Sequence, residues 1–259
     1  MYATNYFETM ILNILRGNQA GAPSRVYVGL FLTNPGEPGG GTEISYTGYA
    51  RKQISFSAPE SMEDGIGIKN SSDITFNTAP QAAGTVTHLG IFDALTSGNM
   101  LLYGELSTPQ AIEAQEAPVI VASEAKWWLD GEFSDWFKTQ VLNILRGTNV
   151  AGITPYFALY NGDPENGGTE LAGANYARLP LSFNAPSAQS GTDYMEIKNS
   201  AEVSSARASG NWGTWSYTVI MSGSGAANPV LKKQRSPAKV MREGLMVSIP
   251  AGGLILAVN

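Results

Sequence analysis

The chain opens with an amphipathic stripe of apolar residues. These residues recur at the spacing of a helix, at Phe7, Met10, Ile11, Ile14 and Leu15. That spacing predicts an α-helix with one face turned toward a core. Thr4 is the predicted N-cap of this helix, and Gly17 is the predicted left-handed stop at its other end.

The same helical design appears a second time in the middle of the chain. The sequence LNILRG occurs at Leu12–Gly17 and again at Leu142–Gly147. Ser134 takes the N-cap position of the second helix, whose apolar stripe is Phe137, Val141, Ile144 and Leu145. Repetition at so long a period predicts two domains in tandem and not a solenoid. We place the first module at residues 1–131 and the second, diverged copy at residues 132–259.

Short predicted strands follow each helix. Runs rich in β-branched and aromatic residues occupy Arg25–Leu32 and Thr154–Tyr160. Polar and apolar side chains alternate in Tyr49–Pro59 and Tyr176–Pro186, which predicts a half-buried antiparallel strand in each copy. Pro180 within the second of these runs indicates a sheet edge.

These elements together predict the fold class. With roughly seven short strands per copy, the chain is expected to be mainly β. The prediction is two tandem β-sandwich-like modules, each led by one short amphipathic α-helix. Each copy is long enough to bury a modest core of its own. Since almost no linker separates the copies near Asp130–Gly131, we also expect the modules to pack against each other.

The composition narrows the class of protein. Only 15% of the 259 residues are charged, and the formal net charge is −6. A general nucleic-acid binder presents a basic surface, so we expect no nucleic-acid partner. Without cysteine, the chain forms neither disulfides nor thiolate metal sites. No apolar run reaches the roughly 20 residues of a membrane span and no signal-peptide pattern is present, so we expect a soluble protein with no membrane partner.

Five blocks of the first copy carry a family resemblance. They are the leading LRG helix, YVGLFLTNPGEPGGGTEIS, GYARKQISFSAP, IKNSSDITF and GTVTHLGIFDALTSGNMLLYGEL. In their order and spacing they resemble a family of small virion proteins of tailed bacteriophages, which includes tail fibre, minor tail and head decoration proteins. The second copy departs in its later half, where VIMS replaces GIFD and VLKK replaces LLYGEL.

The resemblance implies a non-enzymatic structural role in a virion that is assembled in the host cytoplasm. It implies other virion proteins as partners, either the major capsid protein or proteins of the tail and neck. The departures in the second copy imply that this module keeps the fold but presents a different surface.

Candidate catalytic groups are few. His88 is the chain's only histidine, lies in a predicted strand and is replaced by Tyr217 in the other copy. A Ser-His-Asp triad with His88 stays open, but no G-x-S-x-G motif accompanies it, and we interpret the residue as structural. The Gly-rich loop at Gly36–Thr42 lacks the Lys-Ser/Thr ending of a phosphate loop, so a turn is favoured.

A calcium-binding loop is the only metal site that the sequence matches in part. Asn161, Asp163 and Glu165 stand at alternating positions, as oxygen ligands of calcium do. However, Asn166 takes the place of the expected glycine, and Ala172 takes the place of the closing glutamate. We therefore predict no metal, no cofactor and no catalytic residue.

Arg51 and Arg178 follow Tyr-Ala in both copies and admit two interpretations. One is a contact with the capsid or with another subunit. The other is a fixed ion pair with Glu43 and Glu170 of the preceding loops. We favour the ion pair, because a feature present in both copies is explained by the shared fold alone.

Two further sets of residues are candidates for an interface. The aromatic set near the junction of the copies is Trp127, Trp128, Phe133, Trp136 and Phe137. We interpret most of it as core between the modules, and an exposed tryptophan that anchors a partner is the alternative. The basic set is Lys232, Lys233, Arg235, Lys239 and Arg242. Such a run is usually a solvated face, but complementary charge also suits docking on an acidic neighbour.

The sequence leaves three functions open. The leading hypothesis is a head-surface decoration (cement) or head-fibre protein docking on the capsid, because compact modules with short loops suit a lattice. The alternative is a tail fibre or minor tail protein in host-cell attachment, with a host-surface glycan as a further partner. The third is an enzyme such as a glycan hydrolase, and no pair of carboxylates in the sequence points to one. A homo-oligomer is compatible with all three.

Overall fold

A computed structural model describes residues 1–37, 40–63, 65–129 and 131–258. The predicted Gly36–Thr42 loop and the predicted joint at Asp130–Gly131 lie partly outside these residues. Within them the chain is mainly β, with an α-helix at the start of each copy, which confirms the predicted fold class. No helix in the described ranges is long and apolar enough to cross a membrane.

Both helices begin where the sequence predicts. Helix α1 covers Asn5–Ile14, and helix α2 covers Asp135–Ile144. The Thr4 hydroxyl accepts the backbone N–H of Phe7 at 3.4 Å and donates to the carbonyl of Met100 at 2.6 Å. Thr4 therefore satisfies a free N–H of the helix and at the same time fastens the helix to a strand.

The second helix repeats this cap, and a glycine three residues beyond the last helical residue stops each helix. Ser134 accepts the N–H of Phe137 at 3.2 Å. Gly17 and Gly147 adopt φ angles of +87° and +84°, which only glycine tolerates easily. Each glycine N–H returns to the carbonyl three residues earlier at 3.1 Å, so the predicted left-handed stops are confirmed.

The strands fall into two equivalent sets, one in each copy. The first copy forms β1 Tyr2–Ala3, β2 Val26–Phe31, β3 Lys52–Ile54, β4 Glu60–Met62, β5 Gly65–Lys69, β6 Ile74–Thr75, β7 Gly84–Phe92, β8 Met100–Ile112, β9 Val119–Ile120 and β10 Lys126–Trp128. The second copy forms β11 Tyr156–Asn161, β12 Thr169–Glu170, β13 Leu179–Pro180, β14 Ser187–Ala188, β15 Met195–Lys198, β16 Val203–Ser204, β17 Gly213–Met221, β18 Pro229–Met241, β19 Ser248–Ile249 and β20 Ile255–Val258. A short 3₁₀ turn covers Pro164–Asn166. The strands outnumber the roughly seven expected per copy because several ladders are only two or three residues long.

Each copy contains a large antiparallel sheet and a small one. In the first copy the strand orders are β1-β8-β7-β2-β3 and β10-β5-β4, and β6 pairs with β9. In the second copy they are β12-β11-β17-β18 and β14-β15-β20, and β16 pairs with β19. Strand β13 pairs with β11, and Pro180 lies opposite Tyr156 at that margin of the sheet. The edge position predicted from Pro180 is confirmed.

The two longest strands each run through a proline. Strand β8 continues past Thr108-Pro109 to Ile112. Its pairing with β7 skips residues 106–109, which bulge out of the ladder. Pro109 therefore lies where no ladder N–H is needed. Strand β18 bulges in the same way around Pro237.

The two helices are exchanged between the copies. Helix α1 packs on β1 and β8 of its own large sheet and also on β15 and β20, the small sheet of the second copy. Helix α2 packs on β18 of its own large sheet and on β5 of the first copy. Each helix is therefore enclosed by one sheet from each copy.

A pseudo-twofold axis relates the copies. Ala20 and Val150 occupy equivalent positions and hydrogen-bond to each other in both directions, at 2.8 and 3.1 Å. Such reciprocal pairing of equivalent residues is the mark of a twofold contact. The modules thus pack against each other as the missing linker led us to expect.

The core is common to both copies. Buried residues from the two modules form one cluster, in which the ring centroids of Phe7 and Trp127 are 5.6 Å apart. The main core is therefore shared, where a core for each half was expected, and each copy buries only a small cluster of its own, around Phe92 in the first and Met221 in the second. The physical reason is the exchange of helices, because each helix covers apolar surface that the other copy presents.

A buried asparagine fixes the turn before the last strand of each copy. Asn70 is 1% exposed, and its amide donates to the carbonyls of Ser72 and Val121, both at 2.9 Å. Its carbonyl accepts the N–H of Ala125 at 2.9 Å. Asn199 repeats all three bonds in the second copy. One side chain thus satisfies three backbone groups.

Replacing Asn70 with alanine should lower the free energy of unfolding by about 2–4 kcal/mol, because three backbone partners lose their hydrogen bonds. Urea unfolding followed by circular dichroism measures the change. The matched control is Asn228→Ala at an exposed position, which should shift stability by no more than about 0.5 kcal/mol. Equal unfolding midpoints for the two variants would contradict this role for Asn70.

Candidate interaction surfaces

A glutamate–arginine pair braces the large sheet of the first copy. Arg51 Nη2 lies 2.8 Å from Glu43 Oε2, and Arg51 Nε lies 3.0 Å from Glu43 Oε1. Tyr49 donates to Glu43 Oε1 at 2.9 Å and accepts the N–H of Leu30 at 3.0 Å. Burial raises the pKa of Tyr49, so its hydroxyl stays a neutral donor. The network ties the loop before β3 to the backbone of β2.

The second copy repeats the network. Arg178 Nη2 lies 2.8 Å from Glu170 Oε2, and this hydrogen-bonded contact raises the pKa of Arg178. Tyr176 donates to Glu170 at 3.0 Å and accepts the N–H of Leu159 at 3.1 Å. The ion-pair interpretation of Arg51 and Arg178 is therefore confirmed.

Little of either arginine is left for a partner. The side chains of Arg51 and Arg178 are only 12% and 15% exposed. The guanidinium carbon of Arg51 lies 3.3 Å from the centre of the Phe92 ring. Arg178 instead donates to the carbonyls of Gly223 and Gly225, at 2.9 and 2.6 Å. A contact of these arginines with another subunit stays a prediction.

Replacing Arg51 with alanine should destabilise the protein by about 2 kcal/mol, because the Glu43 carboxylate loses a charged hydrogen-bond partner. Arg51→Lys should recover only part of this loss, since an ammonium cannot form the two-pronged pair. Thermal and urea unfolding measure both effects. The control is Arg25→Ala at an exposed position. A loss of stability in this variant equal to that of Arg51→Ala would contradict a special role for the Glu43–Arg51 pair.

The aromatic set divides between core and surface. Trp127 is 2% exposed and lies in the common core, whereas Trp128 is half-buried. Phe133 and Phe137 are buried, with ring centroids 5.1 Å apart. Trp136 is half-buried. Within this aromatic set the tryptophans that reach the surface are therefore Trp128 and Trp136, and anchoring of a partner by Trp128 stays a prediction.

Lys232 is paired within the chain. Its ammonium lies 2.7 Å from Asp163 Oδ2 and 2.7 Å from Glu165 Oε2. Although burial opposes it, hydrogen bonding to these carboxylates raises the pKa of Lys232. The same carboxylates are two of the three residues considered as calcium ligands. In the described part of the chain, no three His, Cys, Asp or Glu side chains are grouped to hold a metal ion.

The other basic residues lie along β18 and just beyond it. Lys233 pairs with Glu132 at 3.2 Å on the surface. The guanidinium carbon of Arg235 lies 4.6 Å from the centre of a Trp215 ring, and Lys239 is the cross-strand partner of Trp215. We call the following residues the basic arm: Lys233, Arg235, Lys239 and Arg242.

A carboxylate from a distant loop closes the N-terminus of each helix. Glu37 Oε1 accepts the N–H of Asn5 at 3.0 Å, and Glu165 Oε1 accepts the N–H of Asp135 at 2.7 Å. A negative charge at this end stabilises the helix dipole. Sequence analysis missed these contacts, because a capping signal is sought within three residues of the cap.

A buried glutamate at the seam between the copies was also missed. Glu8 on α1 is 1% exposed, and its Oε2 accepts the N–H of Met195 from the second copy at 2.7 Å. Burial raises the pKa of Glu8 to about 7, against the hydrogen bond from Met195 and with help from Glu37 and Asp193. The available signal was its spacing, because Glu8 precedes the buried Leu12 by one helical turn.

Glu8 makes stability depend on pH in a direction that follows from its pKa. The folded-state pKa of about 7 exceeds the ordinary value of 4.5, so the folded state binds the proton more tightly. Stability from this group is complete below about pH 4.5 and is lost as the pH rises through about 7. Glu8→Gln keeps an acceptor for Met195 and removes the titration.

We therefore expect Glu8→Gln to match the wild type at pH 4 and to exceed its stability at pH 8 by at most about 3 kcal/mol. Urea unfolding at both pH values is the measurement. Glu243→Gln, at an exposed position, is the control and should follow the wild type throughout. A Glu8→Gln protein that is less stable than the wild type at pH 8 would refute the assignment.

His88 lies in β7 beside Thr87. The hydrogen bond described for its ring joins Nδ1 to the Thr87 hydroxyl at 2.8 Å. A catalytic histidine of the triad type needs a carboxylate at that nitrogen and a nucleophile at the other. The described surroundings of His88 do not have this arrangement, which supports its structural interpretation.

Comparison with known proteins adds a family match. A family model described as "Podophage GP4 fiber I protein gp80" matches the chain twice, over residues 2–127 and over residues 132–257. The two matches fall on the two structural copies and together span almost the whole sequence. No curated protein matches the chain.

Proposed function

Since the chain belongs to the podophage GP4 fiber I protein gp80 family, we propose that it is a non-enzymatic structural protein of a bacteriophage tail fibre. The observation that carries this proposal is the double match, over residues 2–127 and 132–257. It favours the fibre alternative over the head-surface decoration that the sequence favoured. The protein then resides in the virion, which is assembled in the host cytoplasm.

The seam between the copies supports a structural role. Each helix is enclosed by a sheet from each copy, so the modules cannot separate without exposing the apolar faces of both. Exposure of that surface costs roughly 25 cal/mol per Å². A component that holds a fixed position in a particle needs such a seam between its parts.

The engagement of polar groups supports a non-enzymatic role. The carboxylates of Glu43 and Glu170 pair with arginine, and those of Asp163 and Glu165 pair with Lys232. General acid–base catalysis requires groups that are free to meet a substrate. These carboxylates instead hold loops and helix ends in place.

The differences between the copies support separate contacts for each module. Both copies keep the buried asparagine and the glutamate–arginine pair, whereas the basic arm belongs to the second copy alone. We assign the shared residues to the fold and the copy-specific ones to contacts within the virion. Trp128, Lys233 and Arg235 are the first of these residues to test.

Gold-labelled antibodies on intact particles, combined with quantitative gel densitometry, test the fibre role. We expect label at fibres of the tail and a small copy number relative to the major capsid protein. Particles that lack the protein are the control for specific labelling. Label spread over the head at a ratio near that of the capsid protein would overturn the proposal in favour of decoration.

A further inference from the structure

The basic arm has no counterpart in the first copy. At the equivalent strand positions, Arg235 replaces Leu106 and Lys239 replaces Gln110, since β17–β18 and β7–β8 share the same register and bulge. Trp215 replaces Val86, and its ring contacts the guanidinium of Arg235. The second copy therefore has both the charges and the aromatic ring that they contact, and the first copy has neither at these positions.

The charge of the arm is largely unmatched within the chain. In the described ranges no carboxylate forms an ion pair with Arg235, Lys239 or Arg242. The side chains of Lys233 and Glu132 are 67% and 46% exposed, so their ion pair contributes little to stability. A surface of this kind attracts a partner of opposite charge.

An acidic surface with exposed tyrosines lies beside the start of α1. Tyr2 is 64% exposed, and its ring centroid is 5.8 Å from that of Tyr103. The N–H of Met195 bonds to Glu8 of α1 at 2.7 Å, which brings the neighbouring Asp193 next to this helix. Burial and then the carboxylates of Glu37 and Asp193 raise the pKa of Tyr103. Tyr194, 37% exposed, adjoins Asp193. We call this set the aromatic–acidic face: Tyr2, Glu37, Tyr103, Asp193 and Tyr194.

The second copy has a lysine at the position equivalent to part of this face. Glu165 corresponds to Glu37, because each accepts the first N–H of its helix. Lys232 stands at the strand position of Tyr103 and brings its ammonium within 2.7 Å of Glu165. Among the described residues, no lysine or arginine pairs with Glu37 of the first copy or with Asp193, which the second copy contributes to this face. The strand position that carries a lysine in the second copy thus carries a tyrosine in the first.

We propose that the basic arm of one chain docks on the aromatic–acidic face of a second copy of this chain. Carboxylates beside tyrosine rings suit guanidinium and ammonium groups, through charged hydrogen bonds and cation–π contacts. Because arm and face are different surfaces, the contact is heterologous. Every added chain then leaves one arm and one face free, and the series grows head to tail.

This inference goes beyond the proposed function, because it does not depend on where in the virion the protein lies. Self-association is measured on purified full-length chain, whereas the fibre role is measured on particles. The failure of one therefore leaves the other standing. The first measurement is sedimentation velocity over a range of protein concentrations at low and high salt. We expect association at low salt, weakened at least about tenfold at high salt.

Two charge-reversal variants test the surfaces directly. The arm variant is Arg235→Glu with Lys239→Glu, and the face variant is Asp193→Lys with Tyr194→Lys. Each alone should associate at least about tenfold more weakly than the wild type, because like charges then meet. A mixture of the two should associate again, since each junction between unlike chains is complementary. Restoration on mixing also shows that both variants are folded.

The matched control is Gln110→Glu, at the position of Lys239 in the first copy, which should leave association unchanged. A wild type that stays monomeric at low salt would overturn the proposal. So would association that survives both reversals, or that stops at a closed dimer. An arm variant that associates normally but loses adsorption to host cells would assign the arm to an anionic glycan instead, and would also overturn it.

Discussion

The exchange of the two helices is the constraint on which the rest of the structure depends. A helix that is apolar along one stripe and a small sheet that is apolar on one face both need a partner to exclude water. Here the partner of each small sheet is the helix of the other copy. The main core is therefore shared by both copies, and the reciprocal contact of Ala20 with Val150 relates the copies by a pseudo-twofold axis.

Features common to both copies follow from that arrangement. The caps at Thr4 and Ser134 each bond to the first residues of a long strand, which sets the angle at which the helix leaves its own large sheet. The asparagines and the glutamate–arginine pairs then hold turns and loops against the sheets. Each satisfies buried polar groups in the same way twice, so their cause is the fold and not a task of one module.

The copies differ in their charged residues, both on the surface and at the interface between the copies. Lys232 takes the place of Tyr103, and Lys138 takes the helical position of Glu8. The first copy thus gathers carboxylates near the start of its helix, and the second copy neutralises its own and carries further cations along β18. Two copies of one framework thus carry local surface charge of opposite sign, and complementary charge favours ordered contacts in an assembly.

The sequence by itself determined the features that depend on near neighbours. The limits of a helix, its cap and its glycine stop depend on residues within about four positions of each other. A strand is likewise recognised from the alternation of polar and apolar side chains along it. The Glu43–Arg51 pair was also within reach, because its members lie eight residues apart and recur together in the second copy. The mainly β class followed from these local signals.

The tertiary structure alone decided which surfaces meet. Glu8 bonds a residue 187 positions away, and Lys232 pairs with one 69 positions away. No local pattern encodes such distances, and apolar burial is non-directional, so the stripe of α1 would suit either small sheet. Only the complete packing of both copies selects the exchanged arrangement, and with it the burial of Glu8 against Met195.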